Sequence, residues 1–105
     1  MKLKRTLKHL HQRLTRGWSD EQTWGLCGTI AEFVLPRLIR FRDLNNGHPI
    51  GMTEKKWNEY LNDMIYAMET VNRERTEPIS SDDADWDRVD RGLRYFGKYF
   101  RDLWW

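Results

Sequence analysis

The chain has 105 residues, with 18 Lys or Arg against 16 Asp or Glu and a single cysteine. This length predicts one domain with a modest core, and the lone Cys27 excludes an internal disulfide, which fits a reducing cytosol. No apolar run approaches the roughly 18–20 residues that span a bilayer, and the N-terminus lacks the apolar segment of a secretory signal. The charge is uneven, because residues 1–19 carry six basic residues and no acid, giving +6, while residues 20–105 carry 12 basic and 16 acidic residues, giving −4. Such polarity suits contact with phosphate, with an acidic partner or with the acidic half of another copy.

The first predicted helix runs from about Lys2 to Arg16 and stops at Gly17. Its leucines recur at spacings of four, three and four, which is typical of a coiled-coil seam; they are Leu3, Leu7, Leu10 and Leu14. Two heptads are too short to be stable alone in water, so we expect this seam to dock on the other helices or to pair with its own copy. A membrane surface is disfavoured because the apolar stripe is narrow.

The polar faces of this first helix are cationic, which raises nucleic acid as an alternative partner. The residues that would contact it are Lys4, Arg5, Lys8 and Arg13. A reader of duplex DNA needs a recognisable presentation such as a helix-turn-helix, and the sequence shows none. Nucleic-acid binding is therefore an alternative and not the first hypothesis.

The second predicted helix starts after the N-cap Ser19 and runs to about Asn45, with a kink expected at Pro36. On a helical wheel, Arg37 falls near the centre of the predicted buried arc, which is made by Leu26, Ile30, Phe33, Val34, Leu38, Phe41 and Leu44. A buried guanidinium requires a carboxylate or an anionic ligand. Three alternatives stay open: an ion pair with Asp90, escape of Arg37 to solvent at the kink, or a phosphate or carboxylate site shared with Arg40.

Two tryptophans flank the start of the second helix, at Trp18 and Trp24, beside Arg13 and Arg16. They predict either a stacking and anion site that includes Arg16 or a hydrophobic staple that holds the first helix on the second.

The third predicted helix covers residues 54 to about 74 after the cap Thr53, and its apolar residues form one stripe. The fourth opens at Ser80 or Ser81 and continues to the C-terminus, with Trp86, Val89, Leu93, Phe96, Phe100, Leu103 and Trp104 on one face. Tyr95, Tyr99 and Trp105 do not fit that face. They predict either a second contact surface, for a protein partner, or a helix buried on two sides.

These elements predict an all-α fold over residues 1–105, with a basic N-terminal helix at 1–16 and a core of three long helices at 19–105 forming a small bundle. No catalytic motif is present. His9 and His11 lie on different helix faces, so no zinc spacing exists. We therefore expect neither an enzyme, nor a metal site, nor a cofactor.

Four segments resemble a family of small bacteriophage proteins: "RGWSDEQTWGLCGTIAEFVLPRLIRF", "NGHP", "TEKKWNEYLNDMIYAME" and "GLRYFGKYFRDLWW". The resemblance covers about residues 16–105 and implies no activity. It implies a small viral protein that acts in the cytoplasm of an infected bacterium.

The first functional hypothesis is a non-enzymatic, oligomeric binding protein that counteracts host defence by sequestering a phosphate-bearing nucleotide. Arg37 and Arg40 would supply charge and hydrogen bonds, while Trp18 and Trp24 would stack on the ligand. The alternatives are an inhibitor of a host protein or a virion-assembly accessory, and a nonspecific nucleic-acid binder.

Overall fold

The computed structural model describes residues 2–104, apart from the side chains of Lys2, Leu3 and Glu21. Five α-helices are present in this part of the chain, and it has no β-strand, so the all-α prediction is confirmed. The helices are α1 (Lys2–Arg16), α2 (Asp20–Trp24), α3 (Leu26–Leu44), α4 (Glu54–Glu74) and α5 (Trp86–Lys98), followed by a 3₁₀ turn over Phe100–Asp102.

Two helices follow their predicted bounds closely. Helix α1 ends before Gly17, whose φ of +82° is readily adopted by glycine. Helix α4 begins after Thr53, whose side-chain oxygen accepts a hydrogen bond from the backbone N–H of Lys56 at 3.1 Å. This is the N-cap geometry that the sequence indicated.

The predicted second helix is in fact two helices, α2 and α3, which meet at Gly25. Gly25 has φ −109° and ψ 53°, outside the helical region, so the prediction of one continuous helix is wrong at this residue. Helix α3 continues across Pro36, and the kink there stays a prediction.

The last helix begins five or six residues later than predicted, because the residues after Ser80 form a turn, and it ends at Lys98 instead of continuing to the C-terminus. The backbone N–H of Ser80 donates to the Asp83 carboxylate at 2.9 Å, which holds the pKa of Asp83 below its ordinary value. Asp85 is the actual N-cap of α5, and its side chain accepts from the backbone N–H of Arg88 at 3.1 Å.

Helix α4 is the centre of the core. Among the described residues, α3 and α5 each pack on α4 but not on one another. The buried cluster accordingly draws most of its members from α4, with two from α3: Ala31, Leu38, Trp57, Leu61, Met64, Ile65 and Met68. Because no helix within residues 2–104 lies on the far side of α3 or α5, each presents one long face to solvent.

The close approach of α5 to α4 depends on Gly92, which is buried. A Cβ atom at Gly92 would collide with the backbone carbonyl oxygen of Asp63 and lie 2.9 Å from the Cβ of Ala67. Asp63 also accepts a 2.9 Å hydrogen bond from Nε of Arg88. The absence of a side chain at Gly92 thus lets the backbones of α4 and α5 touch, and it brings Arg88 within hydrogen-bonding distance of Asp63.

Candidate functional site

The polar face of α1 is its inner face, and it holds the helix to α2. The Gln12 amide donates to Oδ2 of Asp20 at 2.8 Å, and Nη2 of Arg16 lies 2.8 Å from Oδ1 of the same carboxylate. Nζ of Lys8 lies 3.3 Å from Oδ2. The hydrogen bonds from Gln12, Arg16 and Lys8 hold the pKa of Asp20 well below its usual range.

Aromatic side chains also contribute to this contact between α1 and α2, which we call the α1–α2 junction. His9 is only 4% exposed, and its ring meets Trp24 edge to face at a centroid distance of 5.1 Å. The Arg5 guanidinium stands 5.7 Å above the Trp24 ring, and that of Arg16 stands 3.7 Å above the Trp18 ring. At about 100° per residue, the α1 residues of this junction fall on one side of the helix.

Three leucines of α1, Leu7, Leu10 and Leu14, occupy the opposite side and point away from the molecule. Leu7, Leu10 and Leu14 are 56%, 49% and 77% exposed; we call these three side chains the α1 leucine face. Within the described residues, α1 packs on α2 alone. The expectation that the seam docks on the other helices is therefore wrong for these three leucines, while pairing with a second copy stays a prediction. The side chain of Leu3 lies outside the described part.

For the first half of the second predicted helix, the helical wheel predicted the wrong buried face. Gly28, Ala31 and Leu38 are the buried residues of α3, whereas Leu26, Ile30 and Phe33 are exposed; we call these last three the α3 outer face. Small residues turn toward α4 because a Cβ at Gly28 would overlap the side chain of Arg75. Nη1 of Arg75 is in turn 2.8 Å from Oε2 of Glu32.

Arg37 is exposed, so the prediction that it points into the core is wrong. Its Nη1 donates to the backbone carbonyl of Phe33 at 2.8 Å, and its guanidinium stands 3.7 Å above the Phe33 ring. Of the three alternatives, solvent exposure is the one observed. An ion pair with Asp90 is excluded by the separation of α3 from α5.

The residues predicted to bind a phosphate group do not share one place. Arg40 is exposed on the same helix as Arg37. Trp18, Trp24 and Arg16 belong to the α1–α2 junction, where Trp18 and Trp24 remain 47% and 63% exposed. From Leu26 to Arg37 the rise along α3 is about 17 Å, so a small ligand at the junction would be out of reach of Arg37.

The cationic residues of α1 are partly engaged by the chain itself. Lys8 pairs with Asp20, and Arg5 lies over Trp24. Lys4 and Arg13 are exposed and flank the α1 leucine face. The structure thus divides the four predicted nucleic-acid contacts between the junction and the flanks of an apolar surface.

The two tyrosines predicted as part of a second contact surface pack against the edge of the core. Tyr95 and Tyr99 are half-buried, and their rings lie 4.2 and 5.4 Å from that of Tyr60 on α4. Helix α4 therefore covers these two tyrosines in part, but α5 packs on α4 alone among the described α-helices and is not buried on two sides. A protein contact at Tyr95 and Tyr99 stays a prediction. Three residues expected on the buried face are exposed: Leu93, Phe100 and Trp104. Trp105 lies outside the described residues.

Sequence reasoning missed a cleft beside the loop between α3 and α4. It has a volume of about 330 Å³, with Phe41, Trp57 and Leu61 among its apolar walls. Arg42 lines it, but this guanidinium donates to Asp43 and Asn62 at 3.0 Å each. Its charge is thus already balanced within the chain, which gives the cleft little attraction for an anion.

No group of three or more described His, Cys, Asp or Glu side chains is arranged to hold a metal ion. Within residues 2–104 we also find no helix whose length and apolarity together would let it cross a membrane. Comparisons with protein-family models, with curated proteins and with solved structures found no match for this chain.

Proposed function

We propose that this chain is a non-enzymatic accessory protein that works by binding another protein through the α1 leucine face. The observation that carries the proposal is the orientation of α1: its polar side is bound to the chain and its apolar side is turned to water. A helix that merely completed a core would have the opposite orientation. Contiguous exposed apolar side chains of this kind mark interaction surfaces.

The apolar surface available on α1 is sufficient for a real contribution to binding. The exposed fractions of the three leucines amount to about two whole leucine side chains. Burying a leucine fully contributes about 1.5–3 kcal/mol, so covering the face contributes about 3–6 kcal/mol. The loss of motional freedom on association opposes this gain, and a partner would therefore use additional contacts.

The α3 outer face offers such contacts. Leu26, Ile30 and Phe33 recur at spacings of four and three, so they line one side of α3. Arg37 continues the same side one turn beyond Phe33, with its guanidinium stacked on that ring. An apolar stripe that ends in an arginine matches the composition favoured at protein interfaces.

The biological setting of the proposal comes from the bacteriophage resemblance. In that setting the partner is a host protein or a virion component, and the place of action is the cytoplasm of the infected bacterium. Sequestration of a nucleotide has weaker support, because the arginines and tryptophans assigned to it lie in separate places. Mass spectrometry of the purified protein tests that alternative, since a sequestered nucleotide would co-purify.

Affinity capture from a bacterial lysate tests the proposal. The bait variants are Leu10→Glu on the α1 leucine face and Phe33→Glu on the α3 outer face, with Ile50→Glu as the matched control because Ile50 is fully exposed elsewhere. We expect the same protein to be captured by the unaltered chain and by Ile50→Glu, and to be lost with Leu10→Glu. Equal capture by all baits, each verified as helical by circular dichroism, contradicts the proposal.

A further inference from the structure

The four leucines of α1 are placed symmetrically in the sequence. Leu7 and Leu10 are equally distant from the midpoint between residues 8 and 9, and so are Leu3 and Leu14. If two copies of α1 lie antiparallel about a two-fold axis through that midpoint, Leu7 meets Leu10 of the second copy at two equivalent places. The end leucines then occupy matching levels as well. A seam with this symmetry is complementary to itself, as an isologous interface requires.

The residues beside the seam fit the same arrangement. Lys4 and His11 flank the leucines on one side, and Thr6 and Arg13 flank them on the other. In the antiparallel pair, Lys4 lies opposite His11 of the second copy and Arg13 lies opposite Thr6. Neither the lysine nor the arginine therefore faces another Lys or Arg across the seam, which avoids direct like-charge contact.

The overall charge also favours the antiparallel direction. Residues 1–19 carry +6 and residues 20–105 carry −4. A parallel pair would place two cationic helices with their N-termini together and both bodies at one end. In an antiparallel pair, the N-terminal end of each α1 points toward the acidic body of the other copy, so the long-range interaction is attractive.

We propose that a second copy of this chain covers the α1 leucine face by antiparallel pairing of the two α1 helices. This inference rests on the proposed function in one respect, because it assumes that the α1 leucine face binds protein. The second copy covers the face in the free protein, and the partner of the proposed function competes with it for the same leucines. Helix α1 is about 22 Å long at 1.5 Å per residue, which is short for an interface of standard size. The dissociation constant of the dimer is therefore expected to be micromolar or higher.

Sedimentation equilibrium of the full chain over a range of concentrations tests the dimer. We expect a monomer–dimer equilibrium for the unaltered chain and for Ile50→Lys, and a dissociation constant at least ten times higher for Leu10→Lys. A chain that remains monomeric up to millimolar concentration overturns the inference. So does a dimer that Leu10→Lys leaves intact, because a different surface would then hold it together.

Disulfide cross-linking tests the direction of the helices. In a Cys27→Ser background, Lys4→Cys and His11→Cys are placed on two chains distinguishable by mass. We expect the mixed disulfide to form when both variants are present and neither variant to cross-link with itself. A dimer that persists in sedimentation without forming the mixed disulfide overturns the antiparallel arrangement, because a parallel pair would place Lys4 and His11 of the two copies on opposite sides of the seam.

These results separate the failure of this inference from that of the proposed function. A monomeric chain that still loses its captured protein on Leu10→Glu contradicts self-pairing alone. If the Leu10 substitutions weaken neither the dimer nor the capture of a protein, both the self-pairing and the proposed function are contradicted. Binding to vesicles of anionic lipid by an otherwise monomeric chain, abolished by Leu10→Lys, also overturns self-pairing and identifies a lipid surface as the occupant.

Discussion

Replacing Gly92 by alanine tests the closest contact in the core, and Gly97 on the same helix provides a matched control. A Cβ at Gly92 would collide with the Asp63 carbonyl oxygen, whereas a Cβ at Gly97 would meet no atom within 4 Å. Both substitutions improve helix propensity, by up to about 1 kcal/mol. The two variants therefore differ mainly in the steric effect at the α4–α5 contact.

The loss of stability expected for Gly92→Ala depends on which atoms must move to admit the new methyl group. Carbon atoms in good contact are about 3.5–4.0 Å apart, yet the new methyl at Gly92 would lie 2.9 Å from the Cβ of Ala67 and closer still to the Asp63 backbone. Overpacking of this kind costs about 1–3 kcal/mol, and the upper end applies because a backbone carbonyl has no rotamer to change. After the gain in helix propensity, Gly92→Ala should lower the free energy of unfolding by about 2 kcal/mol.

Thermal unfolding followed by circular dichroism measures both variants. At about 4 °C per kcal/mol for a domain of this size, Gly92→Ala should lower Tm by about 8 °C, and Gly97→Ala should leave it unchanged or raise it slightly. If both variants are stabilised, α5 does not approach α4 closely at Gly92 and the packing described above is incorrect.

Three further predictions concern the N-terminal half and its contrast with the core. Leu61→Ala should lower the free energy of unfolding by about 2–5 kcal/mol because Leu61 is buried, while Leu14→Ala in dilute solution should change it by less than about 0.5 kcal/mol; an equal loss in urea titrations would mean that α1 packs with its leucines inward. Arg37→Ala should likewise change stability by less than about 0.5 kcal/mol, since only a buried, paired guanidinium would produce a loss of several kcal/mol. Because the folded pKa of Asp20 is lowered, its contribution to holding α1 is complete above the ordinary value of 3.8 and is lost as pH falls below it. Hydrogen-exchange protection factors of the α1 amides, which correct for the intrinsic exchange rate at each pH, should therefore fall below that pH in the unaltered chain. Asp20→Asn should show the lower protection already at pH 6, and unchanged protection in this variant would contradict the role of the carboxylate.

The sequence predicted the helices that have strong local signals. Thr53 and Gly17 marked boundaries because an N-cap hydroxyl and a left-handed glycine act within one turn of the chain. Gly25 was missed because a single glycine inside an apolar periodic pattern is compatible with a continuous helix. The start of α5 was misplaced because Ser80, Asp83 and Asp85 are all good caps, and only the turn formed by the first two shows which one is used.

The faces of α3 and α5 were harder to predict because each helix has apolar residues on more than one side. Apolar periodicity alone favoured the arc of Leu26, Ile30 and Phe33, but the tight approach to α4 requires small residues, which selects Gly28 and Ala31 instead. Arg37 was assigned to the interior through this error of phase. The leucine stripe of α1 was recognised from sequence, whereas its outward direction depends on the contacts of Asp20 with the opposite side of the helix.

The outward orientation of the α1 leucine face can be measured through the rate of thiol labelling at Leu14→Cys in a Cys27→Ser background. In dilute solution, labelling should be nearly as fast as in the urea-unfolded chain, because Leu14 faces water, and it should slow as the protein concentration rises and a second copy covers the α1 leucine face. Slow labelling at every dilution would show that the leucines are buried within a single chain, and it would contradict the outward orientation of the α1 leucine face.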